Sequence, residues 1–359
     1  MAQKIHIPKY EMVKNYIKHL LHDDIISYGM RLPSEHELME KFEVSRHTIR
    51  QAFTQLTSEG LIYKEQGKGT FSNYKKIARR NEIIAVITTY MCGFVFPGII
   101  TGIEKVLSDE GYMMLLTNTN NLKEREKQYL ESVLEHKVIG MIIEPTNSAH
   151  ENVNIELLKD MQNKGVRSVF INAFYKDFDS SYVVMDDVKG GYIATEYLIH
   201  LGHKVIAGVF KTDDKQGVDR KNGFLNALKD YNIAAAPGYI GEYNTLTMFD
   251  YPYMFAQSLF RKENPPTAIV CYNDQCSLLI IHAINDSGLR VPEDVSVVGY
   301  DDSLSTMHKG LKLTTIRHPK EELGTQAAKY LIDMIEDRME KPQKIFQPEL
   351  IVRNSCRNI

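Results

Sequence analysis

The sequence predicts an α/β protein built on parallel sheets, preceded by a small basic helical module that ends in a β-hairpin. Three observations carry this. From residue 83 onward, short apolar runs alternate with amphipathic helical stretches, the pattern of repeated βαβ units. Residues 1–80 show instead three helix-period segments, then two short strands around a glycine-rich turn. Charge divides at the same place. Residues 1–80 hold 14 Lys and Arg against 9 Asp and Glu, a net of +5, whereas residues 81–359 carry a net of −8. A basic head on an acidic body is what a nucleic-acid-binding appendage produces, although a solvated basic face gives the same count.

The 359 residues suffice for two or three domains with sizeable cores, and 43% hydrophobic with 25% charged residues is ordinary for a globular protein. No apolar run approaches the roughly 20 residues that span a bilayer. Residues 1–10 are polar and lack a signal-peptide core, so a cytoplasmic protein without a membrane partner is expected. Cys92, Cys271, Cys276 and Cys356 are scattered, without metal-site or CxxC spacing, which predicts reduced thiols and no metal.

In the head, Met12, Val13, Ile17, Leu20 and Leu21 give residues 10–26 a helical stripe, and Gly29 follows it. Ser34 can cap a second helix running to Phe42, with Glu37 completing a capping box. Ser45 can cap a third helix from Arg46 to about Glu59, striped by Ile49, Phe53 and Leu56 and stopped by Gly60. Two short helices joined by a three-to-four-residue turn make a helix-turn-helix. Arg46, His47 and Arg50 fall in the first two turns of the third helix, off its apolar stripe. There an arginine can bond guanine O6 and N7, and the helix N-terminus favours a phosphate. Residues 61–64 and 70–72 then read as two strands around Gln66-Gly67-Lys68-Gly69, a wing whose glycines allow close approach and whose Lys68 suits phosphates. A plain three-helix bundle with a hairpin and a solvated arginine face fits the same pattern.

Residues 73–81 are polar and basic, without apolar period, and read as a linker, bounded at 73–82. In the body, strands are expected at 83–87, 113–116, 138–143, 168–171, 205–210, 268–271 and 295–299, with helices between them, including 96–109 and 123–136. Ligands of open parallel sheets bind beyond the carboxyl ends of the strands. Those ends carry Thr88-Thr89-Tyr90, Glu144-Pro145-Thr146, Asn172, Asn273-Asp274 and Tyr300-Asp301-Asp302. Planar acceptors and donors suit vicinal hydroxyls, and aromatic rings suit the C–H faces of a sugar. Each residue singly is equally a turn former. His203, after Leu201-Gly202, has no partner dyad and reads as a structural histidine before a strand.

Residues 9–72 resemble the GntR-type winged helix-turn-helix. The resemblance rests on Arg31-Leu32-Pro33-Ser34-Glu35, Val44-Ser45-Arg46-His47-Thr48-Ile49-Arg50-Gln51-Ala52, Leu56, Glu59-Gly60-Leu61-Ile62 and Gly67-Lys68-Gly69-Thr70-Phe71. It implies double-stranded operator DNA as partner. Arg46, Arg50 and Gln51 would face the groove, Tyr10, Arg31, Ser45 and Thr48 the phosphates, and Gly67 the minor groove. Lys9, Ser34, Glu35, His47, Gln66, Lys68, Gly69 and Thr70 complete the candidate DNA-binding set. Ser72 departs from the valine common in that family, which bears on wing packing.

Residues 83–353 are similar to the LacI/GalR effector domain, itself related to periplasmic sugar-binding proteins. The motifs are Met185-Asp186-Asp187 with Gly190-Gly191, Leu201-Gly202-His203, Arg220-Lys221-Asn222-Gly223-Phe224, Pro266-Thr267-Ala268, Cys271-Tyr272-Asn273-Asp274, the run 291–302, and Leu313-Thr314-Thr315-Ile316. The resemblance implies two doubly wound subdomains, 83–184 with 314–342 and 185–313 with 343–359, and a sugar cleft between them. Arg220, Asn273 and Asp301 match the family's hydroxyl-binding positions. Glu144, Asn172, Gln216 and His318 fall at its variable effector positions, and Tyr90 and Phe96 would form the apolar wall.

A GntR-type head on a LacI/GalR-type body resembles the arabinose-repressor family of Gram-positive bacteria, through Thr88-Thr89-Tyr90, Phe96-Pro97, Glu144-Pro145-Thr146, Gln216-Gly217-Val218 and 299–303. That implies a homodimeric repressor of carbohydrate utilisation genes, with L-arabinose or a related sugar as effector and no cofactor. No residue spacing separates a pentose from a hexose. An activator, or a regulator answering to another mono- or disaccharide, fits the same sequence. A transport-type binding protein would need export and has no use for a winged helix. An enzyme is disfavoured because no G-x-S-x-G, Walker or HExxH motif is present.

Overall fold

A computed structural model describes residues 8–22, 25–74, 82–303, 307–308 and 310–359. The chain divides into two compact units, residues 1–79 and 80–359.

The head holds α1 (Lys9–His22), α2 (Glu35–Phe42), α3 (Arg46–Ser58) and the antiparallel pair β1 (Ile62–Glu65) and β2 (Gly69–Ser72). The α1 helix ends four residues short of the expected apolar stretch, because Ile26 folds back and its N–H bonds Leu20 O. The capping box forms as expected: Ser34 Oγ accepts from Glu37 N at 3.2 Å, and Glu37 Oε2 accepts from Ser34 N at 2.7 Å. Val13, Ile17, Leu38, Ile49, Leu56 and Ile62 close one core beneath the three helices and the hairpin. Ser72 is fully buried, and its Oγ accepts from Tyr74 N at 3.2 Å. Asn73 also belongs to the head, since its N–H bonds Leu61 O and its Nδ2 bonds Gly60 O. The expected linker therefore starts no earlier than residue 75, and residues 75–81 lie outside the described part.

The body opens with β3 (Ile83–Thr88), α4 (Phe96–Asp109), β4 (Met113–Asn118), α5 (Lys123–Glu135), β5 (Gly140–Ile143), α6 (Ile155–Asn163), β6 (Arg167–Ile171) and β7 (Ser181–Met185). It continues with α7 (Asp187–His200), β8 (Ile206–Lys211), α8 (Lys215–Asp230), β9 (Ile240–Tyr243), α9 (Tyr251–Leu259), β10 (Ala268–Cys271), α10 (Asp274–Asp286) and β11 (Ser296–Asp301). It ends with a small hairpin, β12 (Met307–His308) and β13 (Leu311–Lys312), then β14 (Thr314–Arg317), α11 (Lys320–Ile335), β15 (Gln343–Phe346) and β16 (Glu349–Ile351). Among the described residues two six-stranded sheets form, ordered β15-β7-β6-β5-β3-β4 and β16-β14-β11-β10-β8-β9. All pairings in them are parallel except β14 with β16. Buried strands such as β5 and β10 are apolar throughout because helices cover both faces.

The subdomain boundaries implied by resemblance need correction at two places. Residues 314–317 pair with β11 in the second sheet, not the first. Residues 343–346 pair with β7 in the first sheet, not the second. Thr314, Thr315 and Ile316 are all buried and need a ladder partner on the sheet they leave, so the chain crosses only after β14. The three crossings thus follow β7, β14 and β15, and two of them deliver Met185, Asp187 and His318 to the space between the subdomains.

Glycines set the helix crossings that hold each subdomain. A Cβ at Gly191 in α7 would overlap the Arg220 carbonyl of α8, and one at Gly223 would overlap the Val188 carbonyl. Gly102 in α4 and Gly324 in α11 interlock the same way, against Glu321 O and Ile99 O. Gly191→Ala is expected to destabilise the body by about 1–3 kcal/mol through overpacking. A calorimetric melt unchanged from wild type would show that these helices can separate freely.

Candidate DNA-binding surface and ligand cleft

On the head, Ser45 caps α3 and brings Arg46, His47, Arg50 and Gln51 to its exposed face. Arg46 Nε donates to Glu35 Oε2 at 2.8 Å, Arg50 Nε to the same oxygen at 3.4 Å, and Lys64 Nζ lies 3.8 Å from Glu35 Oε1. These cations, the Arg46 hydrogen bond foremost, hold the Glu35 carboxyl below its usual range. Glu35 therefore arranges the cations of α3 and β1, rather than offering itself to a phosphate that would repel it. Ser34 is likewise committed to its capping box. Ser45 Oγ lies 3.0 Å from Thr48 Oγ1. Arg31 bridges to Phe71, and its guanidinium lies over Gly69, where a Cβ would come within 2.8 Å of Nε. Gly67, at φ 78°, and Gly69, at φ 128°, take left-handed conformations at the wing turn that L side chains rarely adopt. Gln66, Gly67 and Lys68 are exposed there, Thr70 is half-buried, and Lys68 pairs with Glu65 at 3.0 Å. Lys9 and Tyr10 open α1, with Lys9 Nζ on Glu43 O at 3.3 Å and Tyr10 OH on Glu11 at 3.4 Å.

In the body, a cavity of about 360 Å³ opens between the two sheets. Tyr90, Phe96, Glu144, Asn172, Gln216, Arg220, Asn273, Asp301 and His318 all line it. Nine residues spread over 229 positions meet because they sit at or just beyond strand ends, or in the first two turns of the next helix, where parallel sheets present their carboxyl ends.

One wall is organised by Glu144. It is buried, and burial pushes its carboxyl above the usual range. It accepts from Thr89 N at 3.1 Å, from Thr89 Oγ1, from Asn172 Nδ2 at 2.9 Å and from Gln216 Nε2 at 3.4 Å. Both amides spend a donor on Glu144. Their carbonyl oxygens, Asn172 Oδ1 and Gln216 Oε1, are buried without a hydrogen-bond partner among the described residues. His318 Nδ1 is in the same condition. Burial, with Lys320 and Arg220 nearby, holds His318 well below its usual value and so neutral. Asn172 reaches its place through a left-handed backbone, φ 63°.

The opposite wall centres on Arg220, buried at 5% exposure. Its Nε donates to Asp187 Oδ1 at 2.8 Å and its Nη1 to Tyr272 O at 2.8 Å. Nη1 lies 3.9 Å from Asp301 Oδ1, and the guanidinium stacks 3.5 Å over the Tyr300 ring. Asp301 has φ 105° and Asp302 φ 50°, and Lys320 Nζ ties down both carbonyls. Asn273 caps α10, its Oδ1 accepting from Cys276 N at 2.9 Å. Beside them Lys211 bonds Asp213 and Asp214, each at 3.0 Å. Both buried cations of the cleft are thus matched by carboxylates. The Tyr90 and Phe96 rings, 6.0 Å apart at 59°, form an apolar side.

A pH dependence follows. Burial pushes Asp301 up to about 7 and Asp274 up to about 6, both from an ordinary 3.8. The folded chain then holds protons that the unfolded chain has released. Stability from these groups is full below the ordinary value and is lost as pH rises through about 6 to 7. The body should melt at lower temperature at pH 8 than at pH 5.5, and Asp301→Asn should flatten the slope. An equal slope in that variant would show that other groups carry it.

Asp187, Lys211, Asp214, Tyr272 and Thr89 line the cavity too, but were not among the candidates. Asp187 and Tyr272 stood inside quoted motifs, Thr89 stood in the strand-end run 88–90 without being made a candidate, and Lys211 ends β8, so the strand-end rule could have found it. Asn121 had no local signal. It crosses the cleft mouth to Asp213 at 3.3 Å and Thr245 at 2.8 Å. His203 is a buried structural residue, bonded to Thr267 at 2.8 Å and Ser296 at 2.9 Å. The four cysteines are unpaired, Cys271 and Cys276 buried. Among the described residues no helix is long and apolar enough to cross a membrane.

Residues 9–71 match the model of bacterial regulatory proteins of the gntR family, and residues 195–356 that of the periplasmic binding protein-like domain. The arabinose metabolism transcriptional repressor of Geobacillus stearothermophilus is 43% identical over 359 residues, covering 98% of this chain and 99% of that protein. This chain belongs to the arabinose metabolism transcriptional repressor family. The family member of Halalkalibacterium halodurans is 42% identical, covering 97% of this chain and 96% of its own. A LacI family transcriptional regulator from Enterococcus faecium with bound ribose matches at TM-score 0.68 and 26% identity, over 77% of this chain and all of that one. The family pairs the winged head and the two-subdomain α/β body described above. Its relatives are transcriptional repressors, not enzymes.

Proposed function

We propose that this chain represses arabinose-utilisation genes from the cytoplasm, binding operator DNA as a homodimer and leaving it when L-arabinose fills the cleft. The carrying observation is the pair of carbonyl oxygens, Asn172 Oδ1 and Gln216 Oε1, oriented by Glu144 and buried without partners beside neutral His318. Sugar hydroxyls supply donors to such acceptors, and Arg220 and Asp301 bind vicinal hydroxyls on the facing wall. At about 360 Å³ the cavity is near the small end of ligand sites, which suits a monosaccharide. The bound ribose of the structural relative agrees with a pentose. Arg220 and Lys211 are already neutralised, which disfavours a phosphorylated sugar.

The candidate DNA contacts are those of the exposed face of α3 and the wing. Two heads on a dimer would meet a two-fold operator, and sugar-driven cleft closure would change their spacing. The sugar acts only through its differential affinity for the two states. The test is a mobility shift with a promoter fragment of arabinose genes, titrated with L-arabinose, other pentoses and hexoses, and a pentose phosphate. Release by L-arabinose and not by the phosphate is expected. Release by a different sugar would reassign the effector, and no complex at all would overturn the repressor reading.

A further inference from the structure

Beneath the first subdomain's half of the cleft lies a carboxylate that touches none of the cavity. Glu126, in the first turn of α5, is fully buried. Its Oε2 accepts from Thr146 N at 2.8 Å and from Tyr175 OH at 3.2 Å. Its Oε1 accepts from Asn154 Nδ2 at 2.9 Å. Tyr175 OH also takes a bond from Lys123 Nζ at 3.0 Å, and Asn154 Nδ2 also reaches Lys123 O at 3.1 Å. Thr146 Oγ1 extends the network to Thr119 Oγ1 at 3.0 Å.

The direct partners come from two connections, Thr146 and Asn154 from the one after β5 and Tyr175 from the one after β6. Thr146 follows Glu144 in the loop after β5. Tyr175 follows Asn172 in the loop after β6. Thr119 precedes Asn121 in the loop after β4. The loops that place Glu144 and Asn172 at the cavity therefore share one buried anchor, and the loop of Asn121 joins it only through Thr146. A buried charge needs several donors to be tolerated, and here the donors come from separate loops. Loosening one must unsatisfy the charge, so the loops are coupled through it.

We infer that Glu126 is a positioning residue of the ligand cleft: it fixes directly the loops that aim Glu144 and Asn172, and through Thr146 the loop of Asn121, and so sets ligand affinity without touching ligand. The inference rests on the cleft being the sugar site. Glu126→Gln separates positioning from packing, because it keeps shape and volume. Its amide must turn NH2 toward the Thr146 N–H and Tyr175 OH or toward Asn154 Nδ2, setting donor against donor. Tyr175→Phe is the milder companion. It removes one donor and keeps the ring against Phe170 at 5.8 Å.

The experiment uses the full chain and measures L-arabinose binding by calorimetry, operator binding by mobility shift, and the melting temperature. For Glu126→Gln the arabinose Kd should rise about tenfold or more, and for Tyr175→Phe several-fold, the scale of an unsatisfied buried group. Operator affinity without sugar should match wild type in both. Variants that melt earlier but bind sugar at the wild-type Kd overturn the inference and leave Glu126 a purely structural residue. Should Glu126→Gln fail to fold, Tyr175→Phe decides alone: an unchanged Kd overturns the inference, and a raised one supports it. A wild-type chain that binds no sugar overturns the cleft reading, and this inference with it.

Discussion

Arg220→Ala is expected to abolish the response to sugar, with the arabinose Kd rising at least about a hundredfold, while the head still binds operator. Two losses add. The cation proposed to bind sugar hydroxyls disappears from the wall facing Glu144. Its absence also leaves Asp187 a buried carboxylate without its ion-pair partner and removes one of the two cations near Asp301. Breaking a buried pair from one side typically destabilises by about 3–5 kcal/mol, so the body should also melt earlier. Arg220→Lys is the informative companion. It restores charge but not the fork that reaches Asp187 and Tyr272 O together, nor the stacking on Tyr300. Partial recovery of stability with little recovery of binding is the expected pattern. Normal induction in Arg220→Ala would remove Arg220 from the site.

Arg46→Ala is expected to weaken operator binding by about 1–3 kcal/mol, roughly 5- to 150-fold, and to relax base preference at one position of each half-site. The arabinose Kd should not change. Arg46 is exposed, so its removal costs the head little stability. The structure adds a second expectation. Glu35 also holds Arg50 and Lys64. Glu35→Gln should therefore weaken operator binding less than Arg46→Ala, through looser arginines and not through a lost contact. Equal operator affinity in Arg46→Ala at low and moderate salt would place the reading surface elsewhere on the head.

Much of this molecule was legible locally. The Ser34–Glu37 capping box, the Ser45 cap and the wing glycines act within a few residues, and the head's elements formed within a residue or two of expectation, apart from the shorter α1. Strand and helix texture placed the body's larger strands, and strand ends pointed to Tyr90, Glu144, Asn172, Asn273 and Asp301, whereas Phe96, Gln216, Arg220 and His318 came only from the family resemblance; all nine line one cavity. The strands that escaped were β7, β9 and β12 to β16; most are short or lie at sheet edges, where apolar patterning is weak, but β7 and β14 lie inside their sheets.

By itself, then, the sequence determined the type and order of elements, because caps, turns and hydrophobic periods are short-range. It also determined the chemistry available at each strand end. Tertiary structure alone decided which sheet receives β14 and which β15, because strand pairing joins residues far apart in the chain. It alone paired Arg220 with Asp187, turned the Asn172 and Gln216 oxygens away from Glu144, and gathered two loops on Glu126. These are buried polar contacts between distant segments. Burial makes each donor and acceptor need a partner, but which partner it finds depends on how the sheets and helices pack.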